Sequence, residues 1–243
     1  MSGCLRLSLW SGPRNISTAL MYAFRQRSDT VVVDEPLYGH YLRVTGAEHP
    51  GAGDVLKAMD GDGERVVREI LLAPCERPVL FAKNMAHHLV GLERGFLEKL
   101  TNLLLTRDPH DMLTSLVAQL PNPTLGDTGL EMQVEILEHE LARGRAPVVL
   151  EAGEVLRNPR RVLSASCERL GLPFDEAMLT WPAGSKPEDG VWAKHWYANV
   201  HASTGFAPYW AKATTLPQRL EPLLDECMPY YERLNAYAVT ASD

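Results

Sequence analysis

Four clusters of polar residues at the ends of apolar runs could do chemistry in this chain. Residues 5–22 read Leu-Arg-Leu-Ser-Leu-Trp-Ser-Gly-Pro-Arg-Asn-Ile-Ser-Thr-Ala-Leu-Met-Tyr. An apolar strand enters the loop Ser11–Thr18, and the loop opens a helix. Backbone N–H groups at a helix start, the hydroxyls of Ser17 and Thr18 and the charge of Arg14 are all donors to phosphate-like oxygens. An ordinary strand–helix turn with Ser17 as N-cap is the competing account, but it needs neither the arginine nor the doubled hydroxyl. A second cluster pairs Arg107, at the end of Leu103–Thr106, with Ser115 eight residues on and two turns into a helix. A third is Glu35, which follows Val31-Val32-Val33-Asp34 where ligands of open α/β sheets bind, off the carboxyl ends of strands. The fourth is Lys83, ending another apolar run, with His87 and His88 shortly after it.

The elements that must position these groups alternate. Strands are expected at Leu5–Trp10, Thr30–Val33, Pro78–Lys83, Leu103–Thr106 and Pro147–Glu151. Helices are expected at Ser17–Arg27, Glu64–Leu72, His88–Leu100, from Pro109 to about Leu120, Glu131–Ala142, Pro159–Leu170 and about Pro217–Tyr237. The stretch from Gly46 to Gly63 reads as loop, broken by at most one short helical turn. The strands are short, apolar and unalternating, as buried parallel strands are. Repeated strand-then-helix order predicts an α/β doubly wound, mainly parallel five-stranded sheet with helices on both faces. Residues 1–172 form the core of a single domain in this reading. Residues 173–243 form a lid and a closing helix, because Trp181, Trp192, Trp196 and Trp210 fall in the loop-rich part of that stretch. Simple capping of the core is the alternative for these tryptophans.

The loop is not a Walker A motif, because the residue five after Gly12 is Ser17 and no lysine follows. Ser11-Gly12-Pro13-Arg14-Asn15-Ile16-Ser17-Thr18 instead resembles the 5′-phosphosulfate loop of sulfotransferases, Gly-x-Pro-[Arg/Lys]-Ser-Gly-[Ser/Thr]-Thr. Asn15 and Ile16 replace the usual Ser-Gly, and Ala19 stands where cytosolic members often carry a tryptophan. Arg107-Asp108-Pro109-His110-Asp111 and Ser115 resemble the family's 3′-phosphate site. Val148–Leu172, ending Leu-Gly-Leu-Pro, resembles its next strand and helix, with Glu151 and Glu154 read as structural. The resemblance covers roughly residues 5–180.

What the resemblance implies is a P-loop-type sulfotransferase using 3′-phosphoadenosine 5′-phosphosulfate (PAPS). Gly12, Arg14, Asn15, Ser17, Thr18, Arg107 and Ser115 would bind the nucleotide. Lys194, in Trp192–Tyr197, would be the cation of the loop that closes over the 3′-phosphate, although the family's glycines are missing there. Carbohydrate-type members carry Glu-Pro-Leu at Glu35-Pro36-Leu37, where the glutamate is the base. Aryl and steroid members use a histidine after the strand that ends here at Lys83. In register that position is Met85, so Glu35 is favoured over His87 and His88. Lys83 and Arg14 join Glu35 as catalytic residues, and no metal is required.

Composition limits the rest. The 243 residues carry a net charge of −7 and show no basic stripe, which argues against nucleic-acid binding. Cys4, Cys75, Cys167 and Cys227 are far apart, which argues against a disulfide framework and for a reducing, cytoplasmic setting. No run approaches 18 apolar residues, so no membrane span is expected. The expected partners are a small-molecule acceptor with a hydroxyl or amine and, as one option, a second copy in a homodimer. Two other functions compete. Val31–Glu35 imitates a Walker B strand, as a nucleotide-dependent phosphotransferase would need. The departures at Asn15, Ile16 and Ala19 would suit a non-catalytic nucleotide-binding domain.

Overall fold

The computed structural model describes residues 3–209 and 215–240, and the expectation placed on Trp210 lies outside them. The fold is α/β with a six-stranded sheet in the order β2-β3-β1-β4-β5-β6. The strands are β1 (Leu5–Ser11), β2 (Thr30–Asp34), β3 (Val79–Met85), β4 (Thr101–Thr106), β5 (Val148–Glu151) and β6 (Ala238–Val239). The sixth strand corrects the expected five. With two residues it is too short to announce itself, and its register with Val149 and Leu150 is what makes it a strand. The described residues divide into two compact units, 3–9, 17–102 and 177–206 in the first and the others in the second. The stretch read as a lid is therefore shared between them.

In the first unit β2 and β3 pair in parallel, with Asp34 opposite Lys83. Helix α1 (Ser17–Arg25) buries Leu20, Met21, Ala23 and Phe24, and Phe24 stacks on Phe81 at 4.2 Å. Helix α2 (Tyr38–Thr45) escapes sequence reading because Leu37 offers no capping side chain and Gly39, Val44 and Thr45 are weak helix formers. Packing holds it, since Tyr38, Tyr41 and Leu42 are buried together with Val55, Trp192 and Tyr197. Trp181 is also buried, edge-on to Tyr22 and Phe206. These two tryptophans thus serve as core. The helix expected at His88–Leu100 is instead two 3₁₀ turns, Ala86–Leu89 and Arg94–Lys99, because Gly91 sits between them at φ +68°.

Cys4 and Cys75 form a disulfide, which corrects the sequence-based reading of the cysteines. Their 71-residue separation hides an adjacency that strand order creates: the Leu5 N–H donates to the Pro78 carbonyl at 2.9 Å, so the starts of β1 and β3 are side by side. The Cα atoms are 6.0 Å apart, within the range a disulfide spans. Cys167 and Cys227 remain buried thiols. Among the described residues no helix is long and apolar enough to cross a membrane.

In the second unit β4 and β5 pair in parallel, with Thr106 opposite Glu151. Helix Pro109–Leu116 starts with proline in its first turn, capped by Asp108, whose carboxylate accepts from the N–H groups of His110 and Asp111. Helix Pro159–Arg169 starts the same way under Asn158. Helices Leu130–Ala142 and Glu221–Asn235 pack on each other.

Candidate functional site

The second unit gathers Gly12, Arg14, Asn15, Arg107 and Ser115 of the expected anion-binding groups. β1 ends at Ser11, and the loop after it lies close against the backbone of Thr128. A Cβ on Gly12 would lie 2.6 Å from the Thr128 carbonyl oxygen, so only glycine fits. Buried Gln133 donates to the carbonyls of Trp10 and Leu105 at 2.9 and 2.8 Å, tying the end of β1 to β4. Asn15, which replaces the family's serine, ties the loop to β4 in a similar way. Its amide donates to the Leu105 carbonyl at 3.1 Å and accepts from the Ile16 N–H at 2.8 Å.

Arg14 adopts φ +54°, a left-handed conformation that is uncommon for a residue with a Cβ. The turn directs its guanidinium to Ser115, whose Oγ accepts from Nε at 3.0 Å, and to Gln119 Oε1 at 3.3 Å. Arg107 donates to the carbonyl of Arg14 and lies 3.6 Å from Asp111. Arg14, Arg107 and Ser115 are therefore one cluster, although 101 residues separate Arg14 from Ser115. Among the described residues Arg14 has no carboxylate partner. Burial first, and then the charge of Arg107, lower its pKa. Two guanidiniums held together with one weak counter-ion make a place where an anion would relieve repulsion. Arg107 also lines a polar cavity of about 130 Å³ with Glu151, Glu154, Arg157, Tyr209 and Tyr231.

The first unit gathers the proton-transfer candidates. Parallel pairing sets Asp34 opposite Lys83 on one face of the ladder. Alternation would send Glu35 to the other face. A φ of +41° at Glu35 breaks the alternation and turns its carboxylate back onto Lys83. Glu35 and Arg14 are the two non-glycine residues with positive φ among the described residues. Such strain persists where surrounding contacts enforce it, often at functional sites.

Lys83 Nζ donates to Asp34 Oδ1 at 2.9 Å, to Glu35 Oε1 at 2.6 Å and to the Tyr197 hydroxyl. All three ammonium hydrogens are used, so a sulfuryl oxygen would have to displace one of these partners. Burial alone would lower the Lys83 pKa, but the charges of Asp34 and Glu35 outweigh it and hold the ammonium well above its ordinary value. Burial is also the main cause raising the Glu35 pKa. Lys83 opposes that rise and Asp34 adds to it.

The remaining expected residues lie apart from these contacts. Ser17 and Thr18 open α1, with Ser17 buried. Lys194 pairs at 2.8 Å with Asp54, and both side chains are more than half exposed. His88 is buried, stacked on Tyr38 and Tyr41, and its Nδ1 has no hydrogen-bond partner among the described residues. Burial first, then His87, His49, Lys83 and His40, lower its pKa well below the ordinary value. The unfolded chain takes up this proton near pH 6.5 while the folded chain resists it. Stability from this source is complete above about pH 6.5 and is lost as the pH falls from there toward the lower folded value. Melting curves between about pH 7 and pH 5 should show a flatter acid slope for His88→Phe than for the native chain. An unchanged slope would assign the loss to other groups.

Sequence reasoning missed Gln133, Tyr197 and Trp192 as members of these clusters. No spacing signal could have found Tyr197, which meets Asp34 across 163 residues.

A family model described as a sulfotransferase domain matches residues 5–238. Two Arabidopsis thaliana proteins, branched-chain-amino-acid aminotransferase-like proteins 2 and 1, are each 37% identical to the chain, over 94% and 96% of its length. Those alignments cover 41% and 42% of the plant proteins, so the chain spans about two fifths of the curated relatives it matches. Among solved structures, the sulfotransferase domain from the Synechococcus PCC 7002 olefin synthase aligns with a TM-score of 0.56 at 17% identity, over 93% of this chain and 94% of that one. The sulfotransferase from Alicyclobacillus acidocaldarius aligns with a TM-score of 0.54 at 14% identity, over 96% and 94%. At these identities the structural likeness shows the fold.

Proposed function

The chain belongs to the sulfotransferase domain family, and from that premise we propose that it moves a sulfuryl group from PAPS to a hydroxyl or amine of a small acceptor. The observation that carries this reading is the convergence of Arg14, Arg107 and Ser115 on a loop whose Gly12 admits no side chain. Two cations and a hydroxyl suit a ligand with more than one anionic group, and the planar forks of arginine suit phosphate.

In this reading Arg107 and Ser115 hold the 3′-phosphate, and Gly12, Arg14, Asn15, Ser17 and Thr18 hold the phosphosulfate. The donor supplies an activated sulfur–oxygen bond whose cleavage leaves adenosine 3′,5′-bisphosphate. Arg14 neutralises charge gathering on the departing phosphate oxygen. Glu35 accepts the proton that the acceptor oxygen loses, and burial, by raising its pKa, makes it a stronger base than an exposed carboxylate. Asp34, the carboxylate a phosphotransferase of Walker B type would give to Mg²⁺, is engaged by Lys83 and Tyr197 instead.

Calorimetry in metal-free buffer should detect adenosine 3′,5′-bisphosphate binding, with ATP–Mg²⁺ much weaker. Arg107→Ala should weaken that binding by about 1.5–3 kcal/mol, the worth of a charged hydrogen-bonded contact. Unchanged affinity in a folded variant would end the 3′-phosphate assignment. Binding without transfer of labelled sulfate to any hydroxyl or amine acceptor would point to a domain that has kept the site and lost turnover.

A further inference from the structure

Two adjacent carboxylates share one lysine in the first unit, and they are not equivalent. The side chains of Asp34 and Lys83 keep 1% of their surface exposed, while Glu35 keeps 10%. Glu35 is thus the member of the trio that an outside group can reach.

The hydroxyl of Tyr197 has one proton to give and can accept two. Trp192 Nε1, which can only donate, points to it at 3.0 Å. Lys83, which also only donates, takes the second acceptor position. The single phenol proton must then go to a carboxylate. Asp34 stands at 2.8 and 2.9 Å, Glu35 at 3.5 Å, so Asp34 receives it. The Gly190 N–H donates to Asp34 as well, at 3.2 Å. Asp34 accepts from three donors, whereas among the described residues the side-chain hydrogen bonds of Glu35 run through Oε1 alone.

We infer that Tyr197, oriented by Trp192, is a positioning residue that commits Asp34 to the buried network and leaves Glu35 as the carboxylate open to protons. The device works through hydrogen-bond direction, since Trp192 forces the phenol to donate away from itself. It also makes the proton chemistry of Glu35 depend on segment 177–206, which supplies Tyr197, Trp192 and Gly190 to the ends of β2 and β3. The inference rests on the reading of Glu35 as proton acceptor, but its test does not need turnover.

The ionisable groups facing Glu35 are Asp34 and Lys83 from the strands, Tyr38 from α2 and Tyr197. Asp34 and Lys83 in turn face Tyr22, and Lys83 faces His88. The proton that Tyr197 gives to Asp34 keeps that carboxylate charged, and the charge of Asp34 disfavours a charged Glu35. Loosening Asp34 by removing the phenol, or neutralising it outright, should therefore shift the Glu35 midpoint the same way, down.

The experiment is a titration of the full chain labelled with ¹³C-glutamate, followed by NMR, with the Glu35 carboxyl signal assigned by its loss in Glu35→Gln. Tyr197→Phe should move the Glu35 midpoint down, and Asp34→Asn should move it down further. Trp192→Phe, which removes the indole donor and keeps a ring, should move it down by less than Tyr197→Phe. It serves as the readout if either of the others fails to fold. Midpoints equal to the native one in the folded variants would overturn the inference and make Tyr197 a core aromatic only. Sulfate transfer by Glu35→Gln tests the base reading separately, so each can fail alone.

Discussion

Glu35→Gln should lower turnover by about 10²–10⁴, the usual share of a positioned general base, with bisphosphate affinity unchanged. Glutamine keeps the shape of the side chain and an oxygen for Lys83, so the ion pair of Lys83 with Asp34 survives. What is lost is the capacity to take a proton. The native rate should rise with pH across the Glu35 titration, because the base must be ionised to work. Burial is the main reason that titration lies above the usual carboxylate range. The variant should lose that limb of the profile. A histidine base would predict the reverse, namely full activity in Glu35→Gln. His88 is poorly suited to that role, since it is buried among tyrosines. Undiminished transfer to a hydroxyl acceptor by the folded variant would end the assignment.

Much of the fold is written in short-range pattern. Val31–Val33, Leu103–Leu105 and Val148–Leu150 are apolar runs that end at polar residues, and all became parallel strands, the last two buried throughout while Val31 and Val33 of the first stay half-buried. Pro109 and Pro159 each mark a helix start under a capping side chain. What escaped depends on distant partners. Helix α2 has no cap and weak propensity, and forms because its aromatic face is buried by Trp192 and Tyr197. β6 is two residues that acquire meaning only beside Val149 and Leu150. The disulfide follows from strand order, which no cysteine spacing encodes.

The candidate clusters divide the same way. Arg14, Arg107 and Ser115 were readable as motif positions, because a loop after one strand and an arginine after another are local features. Their contact at 3.0 Å is a fact of packing. Lys83 was readable as a cation at a strand end, but its engagement came from the register with Asp34 and the turn at Glu35. Burial is the main cause of the raised Glu35 pKa. Burial is a property of the folded chain that residue order shows poorly.

Arg14→Ala should reduce turnover by roughly 10²–10³ while changing bisphosphate affinity less than Arg107→Ala does. The backbone favours a clean variant. Arginine and alanine both carry a Cβ, so the left-handed φ of +54° is no worse for alanine. Arg107 donates to the Arg14 carbonyl, a backbone atom that the substitution leaves in place. Removing one of two adjacent guanidiniums also relieves repulsion, so the melting temperature should hold or rise slightly. The cost falls on the transition state. Charge grows on the departing phosphate oxygen as the sulfur–oxygen bond lengthens, and a fixed cation stabilises that charge more than it stabilises the bound donor. Arg14→Lys should recover part of the loss, because it restores the charge without the planar fork that reaches Ser115 and Gln119 together. Steady-state kinetics beside direct binding separates the cases. A full rate with a raised donor KM would make Arg14 a clamp on the ground state.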